Sequence, residues 1–303
     1  MKFDADTQEF LEALDTSTRR VYTCGLDAFQ TFYQPKGTIR DFLDQVEEDS
    51  LRSRREKTRV ARNTLKDFVE WLQTRGYKPK TIRAYVAAVQ SEAKYFDISI
   101  STRYVNVPTA KPFSSKFPWT IEDVSKFINM IEKPLYKAIA TIIFQSGLSI
   151  SDLLALTYED IRSEYEDGTT PICLDLSRKK TDVPFMTFIG EWGVSLLKEY
   201  LADNNLNPQE RLFKVTARAV EHYFKKVGRK FLGEYRGNNP VRPHSLRAAF
   251  RTLLSDHKVD PLYIEFWMGH RVPEQQRVYV SKSREGWRET YKTQAEPWLT
   301  PKV

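Results

Sequence analysis

Apolar residues recur three and four apart over several stretches of the first hundred positions, and each stretch is bounded by residues that start or stop a helix. Ser17 and Thr18 suit the cap of a helix from Arg19 to Phe32, and Thr38 opens another that reaches Asp49. A third runs from Arg59 to Arg75 with Gly76 just past its end, and Pro79 fits the first turn of a fourth that reaches about Phe96. Together they predict a compact all-helical unit over residues 1–105. From 99 to 118 the periodicity lapses and Pro108, Pro112 and Pro118 appear, which predicts an irregular connection with residues 106–118 as the linker.

The second unit, residues 119–303, mixes two periods. Thr120 can cap a helix expected to continue through Leu156. Residues then alternate over Pro171–Ser177 and again over Val183–Ile189, across the polar turn Arg178-Lys-Lys-Thr-Asp182, which predicts a β-hairpin. Helical spacing returns over 193–200, 216–232, 243–255 and 261–267. The expected fold is mainly α, with a small hairpin in the second unit.

Composition narrows the class. The 303 residues suit two domains, 41% of them are apolar, and the mean hydropathy is −0.53, as for a soluble protein. No run of 18 apolar residues is present to span a membrane, and the polar N-terminus does not read as a signal peptide. A cytoplasmic, nucleoid-associated protein is expected. Cys24 and Cys173 stand far apart and form neither a disulfide nor a metal pattern, and no metal or cofactor is expected.

Charge points to a polyanion. The chain carries a net charge of +7 and a pI near 9.2. Between Arg52 and Arg83, eleven Lys or Arg stand against three acids, a local net charge of +8. A solvated helix surface accounts for many charge runs, but this density fits contacts along the phosphates of double-stranded DNA. Arg54, Arg55, Arg59, Arg62, Lys80 and Arg83 are the expected contacts.

The chemistry gathers near the C-terminus. His244 and Arg247 lie three apart on the helix opened by Pro243, so they share one face near its N-terminus, where unpaired N–H groups already favour an anion. Gly269-His270 follows, and Tyr279 comes nine residues after His270. A phosphodiester asks for neutralised charge, moved protons and a nucleophile, and these residue types supply all three.

His-x-x-Arg, Gly-His and a tyrosine nine residues on resemble the C-terminal half of the tyrosine recombinases, the phage-integrase superfamily. Gln145–Leu156 is similar to that family's first motif, and Ser177–Val183 to its lysine-bearing hairpin. The wording is most similar to archaeal members. The resemblance implies a helical, SAM-like core-binding domain and a mixed α/β catalytic domain that close around DNA as a clamp. It implies a nucleophile at Tyr279, with Tyr291 as rival, charge neutralisation by Arg247, proton transfer by His244 and a hydrogen bond to phosphate from His270. Lys180, with Lys179 as rival, would protonate the leaving oxygen. It implies cleavage and rejoining through a covalent 3′-phosphotyrosyl link, a homotetramer in the synapse, a tail helix lodged in a neighbouring protomer, and integration or excision of a virus or mobile element.

One position departs from the pattern. In most of the family the first motif reads Gly-Leu-Arg or Gly-Met-Arg, with an arginine that clamps the scissile phosphate, and here that position is Ser149. A hydroxyl carries no charge and cannot form the bidentate fork of a guanidinium. Either another cation replaces it, with Arg178, Lys179 and Arg162 nearest in sequence, or the chain is an attenuated, recombinase-derived DNA-binding protein. A type IB topoisomerase uses similar chemistry but a different nucleophile motif. His222 and His257 match no motif and are expected to be structural.

Overall fold

The computed structural model describes residues 3–109, 117–178, 182–204, 206–235 and 239–301, and at 277–279 the backbone alone. The chain divides into two compact units, Met1–Pro112 and Phe113–Val303.

The first unit packs α1 (Ala5–Glu12), α2 (Thr16–Tyr33), α3 (Ile39–Leu51), α4 (Val60–Thr74) and α5 (Pro79–Tyr95) around Phe29, whose ring meets Phe42 at 5.0 Å and Phe68 at 5.1 Å, both edge-on. α1 escapes the sequence pattern because it is short and buries only Thr7, Phe10 and Leu11. Asp15, and neither Ser17 nor Thr18, caps α2: its Oδ1 accepts from the N–H groups of Ser17 (3.0 Å) and Thr18 (3.1 Å). Thr38 and Asp41 form a reciprocal capping box at α3.

α4 starts differently. Arg59 at its N-cap has φ +60° and makes no side-chain cap, so Asp49 of α3 reaches across. Its carboxylate accepts from Thr58 N (2.6 Å), Thr58 Oγ1 (2.9 Å) and Val60 N (3.2 Å), which pins both ends of that turn to a neighbouring helix. The first unit's packing continues past α5: Val105 is buried, Val107 packs on its core, and Gln90 Nε2 donates to the carbonyl of Ile100 (3.0 Å). Residues 110–116 of the expected linker lie outside the described residues. Phe117 and Trp119 already pack in the second core.

The second unit comprises α6 (Ile121–Asn129), α7 (Pro134–Ser146), α8 (Ile150–Leu153), α9 (Glu159–Glu166), β1 (Ile172–Ser177), β2 (Pro184–Ile189), α10 (Glu191–Leu201), α11 (Ala217–Leu232), α12 (Pro243–Asp256), α13 (Pro261–Trp267), a 3₁₀ helix Glu274–Val280, α14 (Arg284–Gln294) and α15 (Glu296–Leu299). The helix expected from Thr120 to Leu156 is three helices, because Pro134 suits only a first turn and Gly147, at φ +65°, ends α7 in the left-handed region. A Cβ at Gly147 would sit 2.7 Å from the Phe250 ring, so glycine is also what lets α7 end against α12.

α7 is the hydrophobic axis, buried from Ala138 through Ser146. The antiparallel hairpin runs in register from Ile172 opposite Ile189 to Ser177 opposite Pro184, and Thr187 Oγ1 ties β2 to α7 through the carbonyl of Ser146 (2.6 Å). α9 was not expected, since Ile161 is its only buried residue. The terminal helices fold back on their own unit: Trp287, Tyr291 and Leu299 are buried, and Gln145 Nε2 donates to the carbonyl of Leu299 (3.3 Å). No helix among the described residues is long and apolar enough to cross a membrane.

Candidate active site

Two helices end, and a third begins, at one place in the second unit. Arg247 projects from the second turn of α12 and is only 4% exposed. Its NH1 donates to the carbonyl of Gly147 at the end of α7, and its NH2 donates to the carbonyl of Met268 at the end of α13 (2.8 Å). Carbonyls at helix C-termini carry partial negative charge, so both favour a cation. Among the described residues no carboxylate forms an ion pair with Arg247. Burial first, then the positive charge of Arg178, lower its pKa to about 10, so it remains a cation at neutral pH.

The same NH2 lies 2.9 Å from Nε2 of His270. On the far side of the ring, Nδ1 meets a carboxylate oxygen of Glu265, which also pairs with Arg251. A carboxylate accepts, so Nδ1 carries the proton, and Nε2 is left to accept from Arg247. His270 is thus gripped from both ends. The backbone allows this because Gly269, at φ +66°, turns the chain back so that His270 N–H donates to the carbonyl of Glu265 (2.9 Å). A Cβ at Gly269 would stand 2.9 Å from the Phe185 ring of β2.

His244 stands at the second position of α12, exposed, one turn before Arg247. The backbone of Tyr279 lies in the 3₁₀ helix that follows His270, and its side chain lies outside the described residues. Lys180 and its rival Lys179 also lie outside them. Tyr291 is in the core: it is fully buried, its hydroxyl donates to the carbonyl of Gln145 (2.8 Å), and burial raises its pKa well above the usual phenol value. A phenol so placed is a poor nucleophile.

The Ser149 side chain is engaged within its own helix. It caps α8, accepting from Asp152 N (3.2 Å) while its hydroxyl lies 2.6 Å from Asp152 Oδ2. Ser-Ile-Ser-Asp is a capping-box pattern, the signal that could have revealed this role. Of the substitute cations, Arg162 is half-buried on α9 and pairs with Glu159 (3.5 Å). His257 stacks on Trp298 with ring centroids 3.7 Å apart, and His222 is exposed on α11.

In the first unit, Arg54, Arg55, Arg59, Lys80 and Arg83 are exposed, and Arg62 is half-buried with its guanidinium 6.0 Å from the Tyr104 ring. The first three lie on the turn that Asp49 pins. A cationic surface of this kind can follow a phosphate backbone without reading bases.

Residues 120–285 match the Phage integrase family. The chain is 26% identical over 253 residues to tyrosine recombinase XerD of Halalkalibacterium halodurans, covering 77% of this chain and 81% of the relative. It is 24% identical over 286 residues to tyrosine recombinase XerA of the archaeon Pyrococcus furiosus, covering 84% and 88%. Among solved structures, a lambda integrase dimer bound to a core site superposes with TM-score 0.59 at 14% identity over 94% of this chain and 96% of that one. XerH site-specific recombinase bound to palindromic difH substrate superposes with TM-score 0.58 at 19% identity over 77% and 72%. At these identities the superpositions speak for the fold alone.

Proposed function

The chain belongs to the phage integrase family, and from that premise we propose that it is a site-specific DNA recombinase that breaks and rejoins duplex DNA through Tyr279. The observation that carries this reading is the buried Arg247, held by two helix ends and bonded to a histidine whose other nitrogen is fixed by a carboxylate. That arrangement presents a permanent cation and an oriented imidazole together, a constellation suited to a phosphate anion.

In the proposed step the phenolic oxygen of Tyr279 attacks phosphorus and the bond from phosphorus to the 5′ oxygen breaks. The phenolic proton passes to His244, and the 5′ oxygen takes a proton from Lys180. Arg247 binds the non-bridging oxygens, where charge develops, and His270 accepts from its NH2 and so holds the guanidinium in place. One phosphoester replaces another, so the bond energy is kept in the enzyme-linked 3′ phosphate and a different 5′ hydroxyl can reverse the reaction. Exchange between two duplexes needs several protomers, and a homotetramer on DNA is the assembly this chemistry calls for.

The exposed cations of the first unit supply sequence-independent grip on the duplex. Integration or excision of a mobile element is the role this reading favours. The test is chemical: full-length protein is incubated with nicked duplexes enriched from a random library by binding, then denatured. Protein linked to a 3′ phosphate, with release of a free 5′ hydroxyl, is expected. Tight binding without any adduct would instead make the chain a DNA-binding relative that has lost cleavage.

A further inference from the structure

We propose that Arg178 supplies the second phosphate-binding cation that position 149 lacks, pairing with Arg247 across the turn that carries His270. The inference rests on the phosphoryl-transfer reading above and names a ligand of that same site.

Position 149 cannot serve. The Ser149 hydroxyl is engaged by Asp152 through both its N–H and its carboxylate, and lies 2.8 Å from Ser151 Oγ. Removing it from those partners would uncap α8 and still bring no charge.

Arg178 is held where a replacement would have to be. It follows the last residue of β1, and its main chain is fixed on both sides: its N–H donates to the carbonyl of Val183 (3.0 Å), and its own carbonyl accepts from Asp182 N (2.8 Å). From there NH1 crosses to the turn after α13 and donates to the carbonyl of Gly269 (3.1 Å). Three consecutive residues therefore receive two guanidiniums: Met268 and His270 from Arg247, and Gly269 from Arg178. The positive charge of Arg178 is close enough to depress the pKa of Arg247.

Among the described residues neither arginine has a carboxylate ion-pair partner. Two like charges held together in a partly buried place repel, and an anion bound between them relieves that repulsion. Arg178 spends one of its five N–H donors on Gly269, which leaves the guanidinium free to offer others to a phosphate. The carbonyl contact sets where the fork points; the charge is what the ligand meets. Arg162 holds an ion pair of its own on α9, so it is a weaker candidate.

The experiment compares full-length wild type, Arg178→Gln, Arg178→Lys and the double variant Arg178→Gln with Ser149→Arg on the enriched nicked duplexes. Glutamine removes the charge but is shorter and has fewer donors, so Arg178→Lys, which keeps the charge at similar reach, is the comparison that isolates it. Adduct formation by Arg178→Gln is expected to slow by about a hundred- to a thousandfold, with DNA affinity changed by no more than a few-fold. Arg178→Lys should fall between the two, and Ser149→Arg should recover part of the loss. With an uncharged methylphosphonate at the scissile position, Arg178→Gln should react as fast as wild type, since no charge then needs neutralising. A rate for Arg178→Gln equal to wild type on phosphodiester overturns the proposal, as does an equal loss on both substrates, which a merely structural role would give. No adduct from wild type overturns instead the recombinase reading beneath it.

Discussion

Arg247 and His270 lie 23 positions apart in the chain, yet the guanidinium NH2 of one is 2.9 Å from Nε2 of the other. The contact exists because Arg247 also bonds the carbonyl of Met268, so the turn that presents the imidazole is built onto the arginine. The guanidinium and the imidazole are positioned as one piece.

Glu265 completes that piece and gives the first prediction. Its carboxylate fixes which nitrogen of His270 carries the proton. Glu265→Ala should slow adduct formation about tenfold to a hundredfold, the usual cost of removing a partner that orients a ligating histidine. DNA affinity measured by fluorescence anisotropy should stay within a few-fold of wild type. An unchanged rate would mean that Arg247 alone orients the ring.

The basic turn of the first unit gives a second. Asp49 is only 8% exposed and holds Thr58 and Val60, so Asp49→Ala leaves two N–H donors and a hydroxyl without their partner. A loss of about 1–3 kcal/mol in unfolding free energy is expected by denaturant titration, together with weaker DNA binding as the turn loosens. Unchanged stability would show that the turn holds itself.

Salt gives a third. Reversing Arg54, Arg55 and Arg59 to Glu should weaken binding to all duplexes alike, and should flatten the fall of affinity with salt between about 50 and 200 mM. A variant with the wild-type salt slope would remove this turn from the interface.

Glu92 gives a fourth, through pH. It is 1% exposed on α5, accepts from Thr7 Oγ1 (2.5 Å), and has a second oxygen without a partner among the described residues. Burial foremost, with the charges of Asp4 and Asp6, pushes its carboxyl from 4.5 up to about 7. The folded chain then holds a proton that the unfolded chain releases, so stability declines as pH rises from 4.5 through 7 and stays lower above it. Glu92→Gln mimics the neutral form. It should raise the unfolding free energy by up to about 3 kcal/mol above pH 7, and by little near pH 4.5. A variant equally affected at both ends would contradict the shift.

The sequence disclosed what repeats or what sits at fixed spacing. Helical periods and the hairpin alternation are local, and so are His-x-x-Arg and the nine residues from His270 to Tyr279. What stayed hidden depends on distant chain segments meeting. Arg178 reaches Gly269, 91 positions away, and Asp49 caps a helix that starts eleven residues later on another element. Glu265 is near His270 in sequence, but their contact exists only because Gly269 reverses the chain. α9 went unread because a helix with one buried residue has almost no apolar period to show. Ser149 shows the opposite error: the family pattern drew attention to a missing charge, while a local capping pattern explained the residue that is there.

The central claim is that Tyr279 becomes covalently joined to DNA, and the most direct measurement compares two single-oxygen deletions. Tyr279→Phe should bind duplex DNA with nearly wild-type affinity and form no denaturation-resistant adduct. Tyr291→Phe removes a buried hydroxyl bonded to the carbonyl of Gln145, so it should lose about 1 kcal/mol of stability and still form the adduct. An adduct that survives Tyr279→Phe and disappears with Tyr291→Phe would contradict the account.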